Sequence, residues 1–300
     1  MSGQIHTWSQ QKTTLQKEGF ISTLYIPKED AFPGKVLIMV NGSDGEFALT
    51  KLFARKYIQS GLTVLALAYW NEPGLLDAFR RVPLEIAAKA ALWLKEKGYT
   101  KIGMWGVSKG SEYTLLCASY FPELLSCAVA VSPTCVCAQG LKVNTKKGKK
   151  LTLYDCSSFS YEGKDIPYTK IHRNWLRIIL DCIIHRSLYL RSCYKGVLES
   201  APPEAMIPLE RAGGPVLLLA PQDDHIWPAF ESCQILIKRL QDKNFSYDVG
   251  HYYYKYASHF LLPYHLQGKK IFPVERKYPE ECRKSDLDSF EQTIRFLEKW

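Results

Sequence analysis

The residues best suited to chemistry form the string Gly106-Val107-Ser108-Lys109-Gly110, which fits the pattern Gly-x-Ser-x-Gly. It stands directly after the apolar run Ile102 to Trp105 and directly before a helical pattern. A strand that turns at once into a helix holds its serine on a tight, strained corner. Small residues are needed on either side because side chains would clash, and the hydroxyl is presented at the sheet edge. The chemistry this suits is nucleophilic acyl transfer. A serine hydroxyl is a weak nucleophile at its free pKa. It needs a base within hydrogen-bond reach, and an acid behind that base to fix its tautomer and stabilise the imidazolium.

An elbow of this kind has the chain order serine, carboxylate, histidine. The run Val216 to Ala220 ends in Pro221-Gln222-Asp223-Asp224-His225. Asp224 is the first choice for the acid and Asp223 the alternative; either would also serve as a plain N-cap for the helix starting near Pro228. Of seven histidines, His6 precedes the fold, His172 and His185 lie in a long interruption of the pattern, and His225 adjoins the acid, where a pocket or surface role suits it better. His251, His259 and His265 follow the acid. His259, in Ala257-Ser258-His259-Phe260, sits in a loop of small residues beyond an expected last strand, Ser246 to Tyr252; it is the expected base, with His251 the alternative. An oxyanion hole needs two backbone N–H donors. Lys109 supplies one, its charged side chain expected to point to solvent or toward the substrate. The other is expected from Asn41-Gly42-Ser43-Asp44-Gly45, at Ser43. That loop matches neither the P-loop nor the dinucleotide fingerprint.

The elements that must position these residues are legible in the hydropathy pattern. Continuous apolar runs at Val36 to Val40, Val64 to Ala68, Ile102 to Trp105, Ala128 to Val131 and Val216 to Ala220 read as strands buried on both faces. Between them lie helical patterns at Leu49 to Gln59, Pro83 to Lys97, Glu112 to Tyr120 and Phe230 to Gln241. The class is α/β with a mostly parallel sheet and right-handed crossovers. Phe20 to Ile26 is expected to add an antiparallel strand, and Phe290 to Trp300 a closing helix.

The alternation breaks from about residue 138 to 211, too long for an ordinary connection. Residues 1–300 are expected to form one domain, with 138–211 inserted in it as a lid or pocket wall. The insertion contains the densest basic run, Lys146, Lys147, Lys149 and Lys150, expected as an exposed loop. Its aromatic residues, Tyr161, Tyr168, Trp175, Tyr189 and Tyr194, suit either a pocket for a bulky group or simple packing. Its greasy segment, Trp175 to Leu190, is interrupted by Arg177, Asp181, His185 and Arg186, which predicts a helix packed on one face rather than a membrane span.

Composition bounds the rest. The chain has 300 residues, 46% of them hydrophobic, and a formal charge of +9 from 39 Lys plus Arg against 30 Asp plus Glu. The excess favours anionic partners but carries no nucleic-acid-binding motif. Met1 to Gln11 is polar and no stretch reaches membrane-span length, so a cytoplasmic protein without a membrane span is expected. Nine cysteines at irregular spacing read as reduced thiols; Cys135 and Cys137, with no second pair nearby, are expected in core or loop rather than on a metal.

Several stretches together resemble the C-terminal catalytic, α/β-hydrolase domain of the acyl-CoA thioesterase and bile acid-CoA:amino acid N-acyltransferase family. They are Ala66-Leu67-Ala68-Tyr69-Trp70-Asn71, the elbow with Glu112 after it, Ile207-Pro208-Leu209-Glu210-Arg211-Ala212, and Gln222-Asp223-Asp224-His225-Ile226-Trp227. The resemblance implies the α/β-hydrolase fold, the acid at Asp224 and the base at His259. Members that conjugate amino acids carry cysteine at the nucleophile position and hydrolytic members carry serine, so Ser108 implies hydrolysis. The resemblance does not extend through Lys142 to Leu198, nor does the stretch before Phe20 have room for the β-sandwich domain that eukaryotic members carry. The expectation is an acyl-CoA thioesterase needing no cofactor and no metal, acting on a small-molecule acyl substrate. A carboxylesterase or related hydrolase of a non-CoA ester is the alternative, and a non-catalytic binding protein on the same fold the third reading.

Overall fold

The computed structural model describes residues 8–43, 47–144, 150–171, 174–264 and 266–300. Its strands are β1 (Trp8–Thr13), β2 (Ile21–Pro27), β3 (Lys35–Val40), β4 (Thr63–Ala68), β5 (Val82–Pro83), β6 (Lys101–Val107), β7 (Cys127–Val131), β8 (Gln139–Asn144), β9 (Lys150–Ser157), β10 (Phe159–Tyr161), β11 (Lys164–Asp165), β12 (Val216–Pro221) and β13 (Val249–Tyr254). Its α-helices are α1 (Phe47–Ile58), α2 (Glu85–Glu96), α3 (Lys109–Tyr120), α4 (Trp175–His185), α5 (Arg191–Glu199), α6 (Ala229–Asp242), α7 (Pro273–Lys277) and α8 (Pro279–Lys299).

Eight strands make one sheet in the order β1-β2-β4-β3-β6-β7-β12-β13. β2 runs antiparallel to β1 and β4, and every pair from β4 to β13 is parallel. This is the α/β-hydrolase arrangement. Its strands are apolar throughout because both faces are covered. Val36, Ile38 and Val40 of β3 join a core cluster that includes residues of α2, α3 and α6, while Leu37 and Met39 join a second with residues of α1 and α8.

Three boundaries differ from the sequence reading. α3 begins at Lys109 rather than Glu112, so Ser108 stands at its N-cap. α8 begins at Pro279 rather than near Phe290, because its first half buries Cys282, Asp286 and Ser289, small or polar side chains that draw no apolar stripe. The last strand is Val249–Tyr254, an edge strand whose His251 and Tyr252 face outward.

Between β7 and β12 the chain forms other elements. β8 and β9 pair as an antiparallel ribbon, β10 pairs with β11 and β5, and α4 and α5 follow. Lys146, Lys147 and Lys149 lie outside the described residues, while Lys150 opens β9 instead of lying in a loop. The greasy segment forms α4, but the buried members of that helix are Ile178 and Asp181, so its packed face is not its apolar one. Among the described residues no helix is long and apolar enough to cross a membrane. Cys135 and Cys137 are free thiols buried in the core.

Candidate active site

The corner between β6 and α3 is as tight as its glycines suggest. A Cβ on Gly106 would fall 2.1 Å from the Gly110 carbonyl oxygen, and one on Gly110 would fall 2.3 Å from that of Asn41. Ser108 itself has φ +56° and ψ −126°, a conformation costly for a residue with a side chain. Its carbonyl accepts hydrogen bonds from the N–H and the Oγ of Ser111, and its N–H donates to Val131 of β7. The neighbouring strand and the first turn of α3 thus hold the strain.

Parallel pairing brings the C-terminal ends of β6, β7, β12 and β13 to one edge, where the remaining groups meet. Asp224 follows β12, and His259 follows β13. The His259 Nε2 lies 2.7 Å from the Ser108 Oγ, and its Nδ1 lies 2.7 Å from Oδ2 of Asp224. A carboxylate only accepts, so Nδ1 donates to Asp224 and Nε2 is left to accept the serine proton. Asp224 is fully buried, and its second oxygen accepts the Ile226 N–H at 2.8 Å. Asp223 points away: its side chain is 77% exposed beside His225, at 3.5 Å. His251 faces outward against Tyr253, His185 stacks on Tyr189, and His6, His172 and His265 lie outside the described residues.

Ser43 and Lys109 both line the cavity beside Ser108. A Cβ on Gly42 would meet that of Ser108 at 2.9 Å, so the loop abuts the serine closely; Asp44 and Gly45 lie outside the described residues. The Lys109 side chain does not point to solvent or substrate. It is 3% exposed, and its ammonium pairs with Glu112 Oε2 at 2.6 Å above the Phe159 ring. Glu112, wholly buried, accepts the Ala138 N–H on its other oxygen at 2.9 Å. Burial pushes the Glu112 carboxyl upward, and the Lys109 charge opposes that push. The helix runs beneath the start of the 138–211 segment, which removes the water the lysine was expected to reach.

Two further residues hold the loop that carries His259 and were not singled out from sequence. Ser132, at φ +47° after β7, donates from Oγ to the His259 carbonyl at 2.8 Å, and its own carbonyl accepts the Trp227 Nε1–H at 3.0 Å. Ser258 donates to Glu275 at 2.6 Å. A serine after a strand is too common to have flagged either one.

The cavity at Ser108 has a volume of about 80 Å³ and is walled by apolar side chains including Leu141, Leu151, Ile171, Ile178, Tyr194 and Trp227. Of the aromatic residues considered for a pocket, Tyr194 lines it, whereas Tyr161 packs on Tyr120 and Phe121, and Trp175 is exposed. A larger cleft of about 330 Å³ lies around Tyr264, Lys270 and Arg283 and touches none of Ser108, Asp224 and His259.

The sequence profile of the family described as BAAT / acyl-CoA thioester hydrolase C terminal matches residues 82–299. The chain belongs to this family. Among its relatives, human acyl-coenzyme A thioesterase 1 is 28% identical over 223 residues, 73% of this chain and 47% of the relative. Mouse acyl-coenzyme A thioesterase 6 is 32% identical over 232 residues, 75% of this chain and 48% of the relative. The chain thus spans about half the length of these family members. Solved structures of like fold include an α/β hydrolase enzyme from a deep-sea metagenome library, with TM-score 0.58, 14% identity and 98% of each chain covered. A putative dienelactone hydrolase from Klebsiella pneumoniae has TM-score 0.56 and 15% identity, with 99% of this chain and all of that one covered. At these identities the likeness shows the fold alone.

Proposed function

We propose that the protein is a serine acyl hydrolase that cleaves acyl-CoA thioesters. The observation that carries this is the continuous chain of hydrogen bonds from Ser108 Oγ through His259 to Asp224. In this reading Ser108 attacks the thioester carbonyl carbon while its proton passes to His259 Nε2, and the tetrahedral oxyanion is met by the backbone N–H groups of Lys109 and Ser43. Asp224 stabilises the imidazolium and holds its ring. The C–S bond then breaks, and His259 returns the proton to the departing thiol. Water, deprotonated by His259, attacks the acyl-serine ester; the bond to Ser108 Oγ breaks as His259 gives that oxygen the proton, and the carboxylic acid leaves. Family membership supports the thioester; serine in place of cysteine supports water as the acceptor. The steps draw on no cofactor or metal.

The 138–211 segment acts in this reading as the wall of the acyl pocket, through Leu141, Ile171 and Tyr194. One observation favours a second substrate class, a non-CoA acyl ester: Lys109, the one cation among the described residues lining the cavity, is already paired with Glu112. The test is release of free thiol from short- to long-chain acyl-CoAs beside cleavage of aryl esters, by wild type and by Ser108→Ala. The proposal expects thiol release that Ser108→Ala reduces at least about 10⁴-fold without a change in melting temperature. Ester cleavage with no thiol release transfers the assignment to the second class, and full activity of Ser108→Ala overturns both.

A further inference from the structure

α4 is turned inside out for a surface helix. Such helices bury their apolar stripe and give their polar face to water. At 100° per residue, Trp175, Leu176, Ile179, Leu180, Ile183 and Ile184 share one half of this helix, and each of them is between 49% and 81% exposed. The opposite half holds Asp181, which is 2% exposed and paired with Arg177 at 3.0 Å, together with the buried Ile178. Asp181 is the helix's one acid, so its outward surface carries no negative charge.

A cationic cluster adjoins the C-terminal end of this apolar face. Arg276 donates to the Arg186 carbonyl at 2.9 Å and to the Lys270 carbonyl at 2.7 Å, which gathers three exposed basic residues at one place. Asp223, an exposed acid of the adjoining turn, lies 3.5 Å from the Nε2 of His225. Apolar side chains on one face with cations at the margin are what an interfacial helix presents to anionic lipid. Six side chains on one helix fall well short of the roughly 20–30 residues a side that a stable protein interface uses.

We propose that the outward face of α4, with Arg186, Lys270 and Arg276, docks the protein on an anionic lipid surface. The inner side of the same helix gives the docking a consequence. Ile178 of α4 and Leu190 and Cys193 after it roof the cavity at Ser108, whose volume of about 80 Å³ is below the roughly 300 Å³ at which ligand pockets begin. In this proposal an acyl group enters as this roof shifts, and lipid that takes up the outward face of α4 moves the roof. This second half rests on Ser108 being the nucleophile.

Sedimentation with vesicles of phosphatidylcholine, alone or with roughly one third phosphatidylglycerol, tests the docking without any need for turnover. The proposal expects binding to the anionic vesicles, loss of that binding in Ile179→Ser/Ile183→Ser, and a weakening of about fivefold for each of Arg186→Gln and Lys270→Gln. No binding, equal binding to both vesicles, or full binding by the isoleucine variant overturns it. So does a wild-type dimer that the isoleucine variant separates into monomers, since a second copy then covers the face. Labelling of Ser108 by a fluorophosphonate is expected to run several-fold faster with anionic vesicles. An unchanged labelling rate overturns the roof movement alone, and no labelling under either condition overturns the role of Ser108 while the sedimentation result stands.

Discussion

The ammonium of Lys109 lies 2.6 Å from the carboxylate of Glu112, and both side chains are buried in the first turn of the helix that Ser108 starts. Glu112 also holds the N–H of Ala138. One carboxylate thus ties the turn that carries Ser108 to the first residue of the segment walling the cavity beside it.

Removing one partner of such a pair leaves a buried charge unmet. Glu112→Ala is expected to lower stability by about 3–5 kcal/mol, read as a drop in the urea midpoint. Lys109→Met/Glu112→Leu, which removes both charges, is expected to recover most of that loss. A double variant as unstable as the single one would sink the account.

The two adjacent aspartates should separate cleanly. Asp224→Asn removes the acceptor that fixes the His259 tautomer and should lower kcat by about 10⁴-fold. Asp223→Asn, altering an exposed side chain, should change kcat less than about twofold, since surface substitutions are usually near neutral. The same contrast is expected between His259→Ala and the outward-facing His251→Ala. Steady-state kinetics on one acyl substrate decides both.

In the proposed mechanism Ser132 acts only through His259, whose carbonyl it holds. Ser132→Ala deletes the hydrogen bond to the His259 carbonyl, worth about 1 kcal/mol. It should lower kcat by about fivefold and leave KM nearly unchanged. An equal fall in melting temperature with kcat intact would assign Ser132 to stability alone.

Burial pushes Asp286 up to about 7, and its partner Lys269 only partly opposes the shift. The folded state therefore holds this proton more tightly than the unfolded chain, where a carboxyl titrates near 4. The stability from this group is fully present below about pH 4 and is lost as pH rises toward 7. Melting temperature measured across that window should decline less steeply in Asp286→Asn than in wild type. Lys269 also pairs with Glu275, the acceptor of Ser258 next to the base, so the same titration bears on the His259 loop.

The five central apolar strands, β2, the elbow at Ser108 and the class of fold were legible in the sequence because those features are local, whereas the polar edge strand β1 was not. A strand buried on both faces must be apolar along its length, and a corner without room for Cβ atoms must have glycines on both sides of its serine. Chain order and spacing narrowed the acid to two neighbouring aspartates and left two histidines in contention for the base. Pairing of the strands brings His259 and Asp224, and not Asp223 or His251, into one hydrogen-bonded chain with Ser108, since that depends on which way each side chain leaves the backbone. The tertiary structure also reversed two expectations. Lys109 is enclosed because residues almost thirty positions later fold over it, and α4 turns its apolar half outward, with Ile178 and Asp181 on the inward side. Periodicity records that a helix has an apolar face; which neighbour that face meets is decided by contacts between segments far apart in the chain.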